Sequence, residues 1–125
     1  MSPSTPLRAG PRSSNRIDFL QGTLDVLILR TLLVGRSHGH AIAKHIQRTS
    51  EELLQVETGS LYPALHRLES QGWIEASWEL SEKGKRAKYY CLTKQGKKQL
   101  SVEHEKWETF SRAMRLVLRA IEEEL

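Results

Sequence analysis

From Asp18 to Val34 the apolar positions recur with a helical period on two faces. Leu20, Leu24, Leu27, Ile28 and Leu32 mark one face, and Phe19, Val26, Leu29 and Leu33 mark a second. A helix that is apolar on two sides is buried on two sides, so this pattern predicts one face against the chain's own core and another against a partner helix. Gly35 is the expected stop. A shorter helix is predicted from about His38 to Ser50, with Ala43, Ile42 and His45/Ile46 giving its period. The run EELLQVE at 51–57 either extends that helix or connects it to the next.

The next segment, TGSLYPALHRLESQGW, carries the stripe Leu61, Leu65, Leu68. Thr58 or Ser60 is the expected cap. Pro63 is tolerated near a helix start, where few amides have intrahelical partners, and this puts the start near 58–60. Gly72 is the expected C′ residue. Trp73 to Glu79 alternates as a strand, and Ala87 to Leu92 is its natural partner. Gly84 lies between them, so a β-hairpin with a basic tip is predicted. Thr93 opens a last helix in which Leu100, Trp107, Met114 and Ile121 recur every seven residues, with Phe110 and Val117 at the offset positions. That 3-4-3-4 spacing belongs to a helix packed along another helix.

The fold class expected is mainly α with a two-stranded β wing (α+β). Helix, helix, short helix and basic hairpin is the order of a winged helix-turn-helix domain, here followed by a long C-terminal dimerisation helix. The expected division is an arm at 1–16, a winged domain at 17–92 and a dimerisation helix at 93–125. With three prolines, four serines and three arginines in 16 residues, the arm cannot bury enough surface to offset its ordering entropy and is expected to be disordered.

Charge sharpens this picture. Residues 1–100 carry 15 Lys/Arg against 9 Asp/Glu, whereas residues 101–125 carry 4 against 6. Seven basic residues (Lys83, Lys85, Arg86, Lys88, Lys94, Lys97, Lys98) stand between 83 and 98 with no acidic one among them. Such a block reads either as an electrostatic footprint for a polyanion or as a solvated charged surface. A short helix fits the major groove, where base pairs display distinguishable donors and acceptors, and phosphate contacts supply affinity and register. Ser60, Tyr62, His66 and Arg67 are the candidate groove contacts. Lys83, Lys85, Arg86 and Lys88 are the wing contacts, and Lys44 and Arg48 are candidate backbone contacts. Tyr62 has a second reading as a half-buried packing ring.

Other chemistries lack support. There is no nucleophile elbow, phosphate loop, dinucleotide fingerprint or zinc-protease motif, so an enzyme is not expected, nor any cofactor. His38 and His40 form an HxH pair, with His45 and His104 elsewhere, but a metal site needs three or four converging ligands, and none is expected. The single cysteine, Cys91, excludes an intramolecular disulfide and is expected to be a small buried hydrophobe. No apolar h-region marks a signal peptide, and Asp18, Asp25 and Arg30 interrupt the first apolar stretch, so the expected compartment is the cytoplasm. The rival readings are a winged module for RNA or a protein partner, or a non-specific basic DNA binder. Of Tyr89 and Tyr90 only one can face outward, whereas readers of single-stranded RNA display several aromatics on an open sheet.

The run GSLYPALHRLESQGWI followed by RAKYYCLTKQGKKQL resembles the PadR family of bacterial transcription regulators. In that family a Thr/Ser-Leu-Tyr-Pro-Ala-Leu motif opens the recognition helix, and Tyr-Leu-Thr-x-x-Gly joins wing to dimer helix. The resemblance covers about residues 19–120, with LQGTLDVLIL and SHGHAI falling on the family's first two helices. His40 stands where the family typically has an aromatic residue. The resemblance implies a homodimer joined through first and last helices, with Leu20, Leu24, Leu27, Trp107, Phe110, Met114, Val117 and Ile121 at the interface. It implies a palindromic operator, usually bound as a repressor, and the short C-terminal region resembles the smaller subfamily with one dimerisation helix. In some members small aromatic effectors bind between the dimer helices and release the DNA, and Trp107 and Phe110 stand at suitable positions.

Overall fold

The computed structural model describes residues 22–125, so the predicted arm and Leu20 lie outside the described residues. The helix α1 runs over residues 22–34 and stops before Gly35. It is followed by β1 (Ser37–His38), α2 (Gly39–Thr49), α3 (Thr58–Ser70), β2 (Ile74–Leu80), β3 (Arg86–Leu92) and α4 (Lys94–Glu124). Each element predicted within these residues is present.

The core is built where the predicted stripes converge. Ile28, Leu29 and Leu32 of α1 meet Ile42 and Ile46 of α2, Leu61, Ala64, Leu65 and Leu68 of α3, Ile74 of β2, Tyr90 of β3 and Leu100 of α4. The hydroxyl of Thr31, buried among them, donates to the Leu27 carbonyl at 2.8 Å. Among the described residues no buried side-chain polar atom lacks a partner, as a well-formed core requires.

Three details depart from expectation. The sheet has three strands in the order β1-β3-β2, not two, because Ser37 and His38 pair antiparallel with Tyr90 and Tyr89 on the free edge of the hairpin. The helix α3 is preceded by Glu57 as N-cap, without a side-chain cap bond, so neither Thr58 nor Ser60 caps it. Pro63 then falls in the second turn, where the Gly59 carbonyl loses its usual donor at an exposed position. Cys91 is exposed, because the alternation of β3 turns Tyr90 into the core and its neighbours Tyr89 and Cys91 to the opposite face.

Helix ends fix the joints. EELLQVE is a connector: Glu51 and Glu52 take left-handed φ values of 54° and 68° and end α2. Gly72, at φ 79°, closes α3 in a Schellman arrangement, with the Gly72 and Trp73 amides donating to the Glu69 and Leu68 carbonyls. At the start of α4, Thr93 Oγ1 donates to the Gly72 carbonyl at 2.7 Å and accepts from the Gly96 amide at 2.9 Å. A side chain at Gly96 would collide with the Trp73 carbonyl. The 31-residue α4, about 46 Å long, continues past Leu100 alongside α1 as far as Phe110, and Trp107, Phe110, Met114, Val117 and Ile121 are all exposed.

Candidate nucleic-acid interface

The hairpin β2–β3, the start of α2 and one face of α3 enclose an open groove of about 1130 Å³. From α3 it is lined by Tyr62, His66 and Glu69, spaced i, i+4, i+7 on one face, while Leu61, Ala64, Leu65 and Leu68 point into the core. From the wing come Trp78, Lys83, Lys85, Arg86 and Lys88, and from the opposite wall Arg36, His38, Gly39 and His40.

The wing is stiffened by its own hydrogen bonds. In the turn the Ser81 amide donates to the Lys85 carbonyl at 2.7 Å, and the Gly84 amide donates to the Ser81 carbonyl at 2.9 Å. On one face of the sheet the register sets Trp78 opposite Lys88 and Leu80 opposite Arg86. The Arg86 guanidinium lies 5.3 Å from the centre of the half-exposed Trp78 ring. Lys88 is committed inward: its Nζ is 3.3 Å from Glu69 Oε1 and 5.6 Å from the Tyr90 ring. Burial pushes the Tyr90 hydroxyl above its ordinary range, against the pull of Lys88. On the other face Arg36 pairs with Glu79 and stacks over Tyr89 at 5.1 Å. The Arg36 hydrogen bond, with help from Ser77, holds Glu79 below the usual carboxylate range. Lys83 and Lys85, at the wing tip, form no ion pair with any described residue and remain available to an external anion.

Of the predicted contacts, Tyr62, His66, Lys83, Lys85, Arg86 and Lys88 therefore meet in one groove. Ser60, Lys44 and Arg48 are exposed but outside it. Arg67 also lies outside and pairs with Asp25 of α1. Burial raises the Asp25 carboxyl above its ordinary value even though Arg67 pulls it down, because the lost hydration outweighs the guanidinium's attraction. Trp78, Arg36, His38 and Glu69 are groove residues that sequence reasoning missed. The alternation of β2 put Trp78 on the same face as Ile74 and was the available signal for it.

A second, smaller concavity of about 190 Å³ lies between α1 and α4, lined by Gly22, Thr23, Val26, Glu103, Lys106, Trp107 and Phe110. The Trp107 and Phe110 rings are 5.7 Å apart, tilted by 33°. Leu24 and Leu27 are half-buried and pack against the domain's own core. Among the described residues no His/Cys/Asp/Glu cluster suits a metal ion, and no helix is long and apolar enough to cross a membrane.

The chain matches relatives along most of its length. Residues 28–102 match the model of the "Transcriptional regulator PadR-like family". A protein of Lysinibacillus sphaericus, described as uncharacterized protein X, is 33% identical over 108 residues, covering 86% of this chain and 98% of that one. A transcriptional regulator from Clostridium thermocellum has a solved structure that superposes with a TM-score of 0.71 at 34% identity, over 78% of this chain and 95% of its own. A PadR-like transcriptional regulator from Bacillus cereus superposes at 0.67 with 27% identity, over 81% and 96%. The groove between a short helix and a basic wing thus sits in a fold shared with regulators of transcription, and the chain belongs to the PadR-like family of transcriptional regulators.

Proposed function

We propose that this regulator is a homodimeric repressor that inserts two copies of α3 into successive major grooves of a palindromic operator, with each wing on the flanking backbone or minor groove. The carrying observation is the groove itself. Tyr62 and His66 stand on one wall, and the unpaired Lys83 and Lys85 stand on the other. The helix side chains supply sequence choice, and the lysines supply salt-sensitive affinity. Ser60, Lys44 and Arg48 serve as flanking contacts.

Dimerisation is assigned to residues 93–125 together with α1. Trp107, Phe110, Met114, Val117 and Ile121 repeat at 3-4-3-4 spacing and are 38–68% exposed in the single chain, which is the pattern of a helix awaiting a second helix. Leu24 and Leu27 complete the seam from α1. A small aromatic effector entering beside Trp107 and Phe110 in the α1–α4 concavity would shift the relative position of the two reading heads and release the operator.

The test is selection of binding sites from a random duplex library, followed by affinity measurement on the winner and on scrambled DNA across salt concentrations. A palindrome bound about a thousandfold tighter than scrambled sequence supports the reading. Equal, steeply salt-dependent binding to every duplex reduces the protein to an electrostatic DNA binder. Binding to RNA or to no nucleic acid at all refutes it.

A further inference from the structure

Gly39 is the first residue of α2, and it is buried. Its backbone is not left-handed, since only Gly72 and Gly84 among the described glycines have positive φ. Alanine would therefore suit the helix better at this position, and backbone geometry does not account for the glycine. What occupies the space of the missing side chain is Tyr62. A Cβ at residue 39 would lie 2.8 Å from Tyr62 Oη, 2.9 Å from Cε1 and 3.0 Å from Cζ. The first two are closer than real Cβ contacts come and the third is at the tight edge of them, so either the ring or the helix would have to move.

We propose that Gly39 is a positioning residue for sequence recognition: its bare Cα is the seat on which the Tyr62 ring rests, and this seat sets where Tyr62 stands in the DNA-facing groove. The seat is itself held. His38 Nδ1 accepts from the Ala41 amide at 3.2 Å, and His38 pairs through β1 with Tyr89 of the wing strand. The Tyr62 ring thus lies against a platform tied to the wing, while its own helix carries His66 one turn along. An aromatic side chain left 46% exposed would otherwise sample several rotamers, and readout of base edges demands one.

This inference rests on the DNA-binding reading above, and a double-mutant cycle tests it. With the selected operator and a scrambled duplex as probes, Gly39→Ala is expected to lower the operator-over-scrambled preference about tenfold. Affinity for scrambled DNA and the salt slope stay unchanged. Tyr62→Phe removes the nearest atom but leaves Cε1 and Cζ, so it recovers part of the Gly39→Ala loss. In a Tyr62→Ala background Gly39→Ala has no further effect on DNA preference, and it raises Tm because alanine now fits the helix. A Gly39→Ala loss that persists in the Tyr62→Ala background, or that falls equally on both duplexes, overturns the proposal. So does an unchanged preference in Gly39→Ala. A parent protein that prefers no duplex sequence overturns the DNA-reading assignment as well, which distinguishes that failure from a Gly39 variant behaving like a discriminating parent.

Discussion

Arg67 of α3 donates to the Asp25 carboxylate of α1, a contact between residues 42 positions apart that clamps the short helix against the first one. The pair is part-buried, and each partner is the other's ion-pair contact. Arg67→Ala is expected to cost about 1–2 kcal/mol of stability, as loss of a hydrogen bond to a charged group does, read as a fall in denaturation midpoint. Binding to scrambled DNA should change little, which separates a clamp from a phosphate contact.

The same pair carries a pH signature. Burial raises the Asp25 carboxyl from its ordinary 3.8, with Arg67 opposing. The folded chain therefore holds this proton to higher pH than the unfolded chain does. Its contribution to stability is full below the ordinary carboxylate range and is lost as pH rises through the raised value. Asp25→Asn should remove that decline, giving a flatter plot of Tm against pH on the acid side. Parallel curves for both proteins would refute the assignment.

Lys85 and Trp78 should part company in salt. Lys85 is an unpaired charge at the wing tip, so Lys85→Ala should weaken binding to all duplexes and reduce the log–log salt slope by about one. Trp78 carries no charge but backs the Arg86 guanidinium. Trp78→Ala should lower affinity about threefold to tenfold through the lost stacking platform, at an unchanged salt slope.

Tyr62 and Ser60 are predicted to differ although they are two residues apart. Tyr62 faces the groove, whereas Ser60 lies outside it with its amide donating to the Glu57 carbonyl at 3.0 Å. Tyr62→Ala should erode discrimination among operator variants by about tenfold, and Ser60→Ala should change all affinities slightly and alike. Site selection repeated with each variant gives the comparison.

Val117, 68% exposed on α4, tests the seam. Val117→Glu would place a charge between two helices and raise the dimer dissociation constant about 100-fold or more, visible by sedimentation. A folded variant with undiminished self-association would place the interface elsewhere.

Local chemistry made much of this legible. Gly72 announced the end of α3, Gly84 the wing turn, and the heptad from Leu100 the long helix. What escaped depended on partners far along the chain. A two-residue strand has no period to read, so Ser37 and His38 gained their place only through Tyr90 and Tyr89, some fifty residues away. Alternation predicts that Tyr90 and Cys91 face opposite ways but not which one faces the core, and it is Tyr90 that does while Cys91, expected inside, is exposed. Arg67 shares its helix with the groove residues, and only the position of Asp25 removes it from their company. Position on a helix identified candidates, and tertiary neighbours decided their employment.

The joint at Gly96 has a geometric consequence. With Thr93 bonded to Gly72 and no room for a side chain against the Trp73 carbonyl, α4 leaves the winged domain in one direction only. If two such chains pair along α4, the assembly is a caliper whose resting gap is set at this joint. Inserting one base pair between half-sites moves the second by about 3.4 Å and turns it by roughly 35°. A joint packed this closely resists following that turn, so the DNA must twist, the joint must yield or one jaw must let go. Tolerance of spacing would then be a property of the operator's stiffness, and a bulkier residue at position 96 would reset the gap the caliper measures.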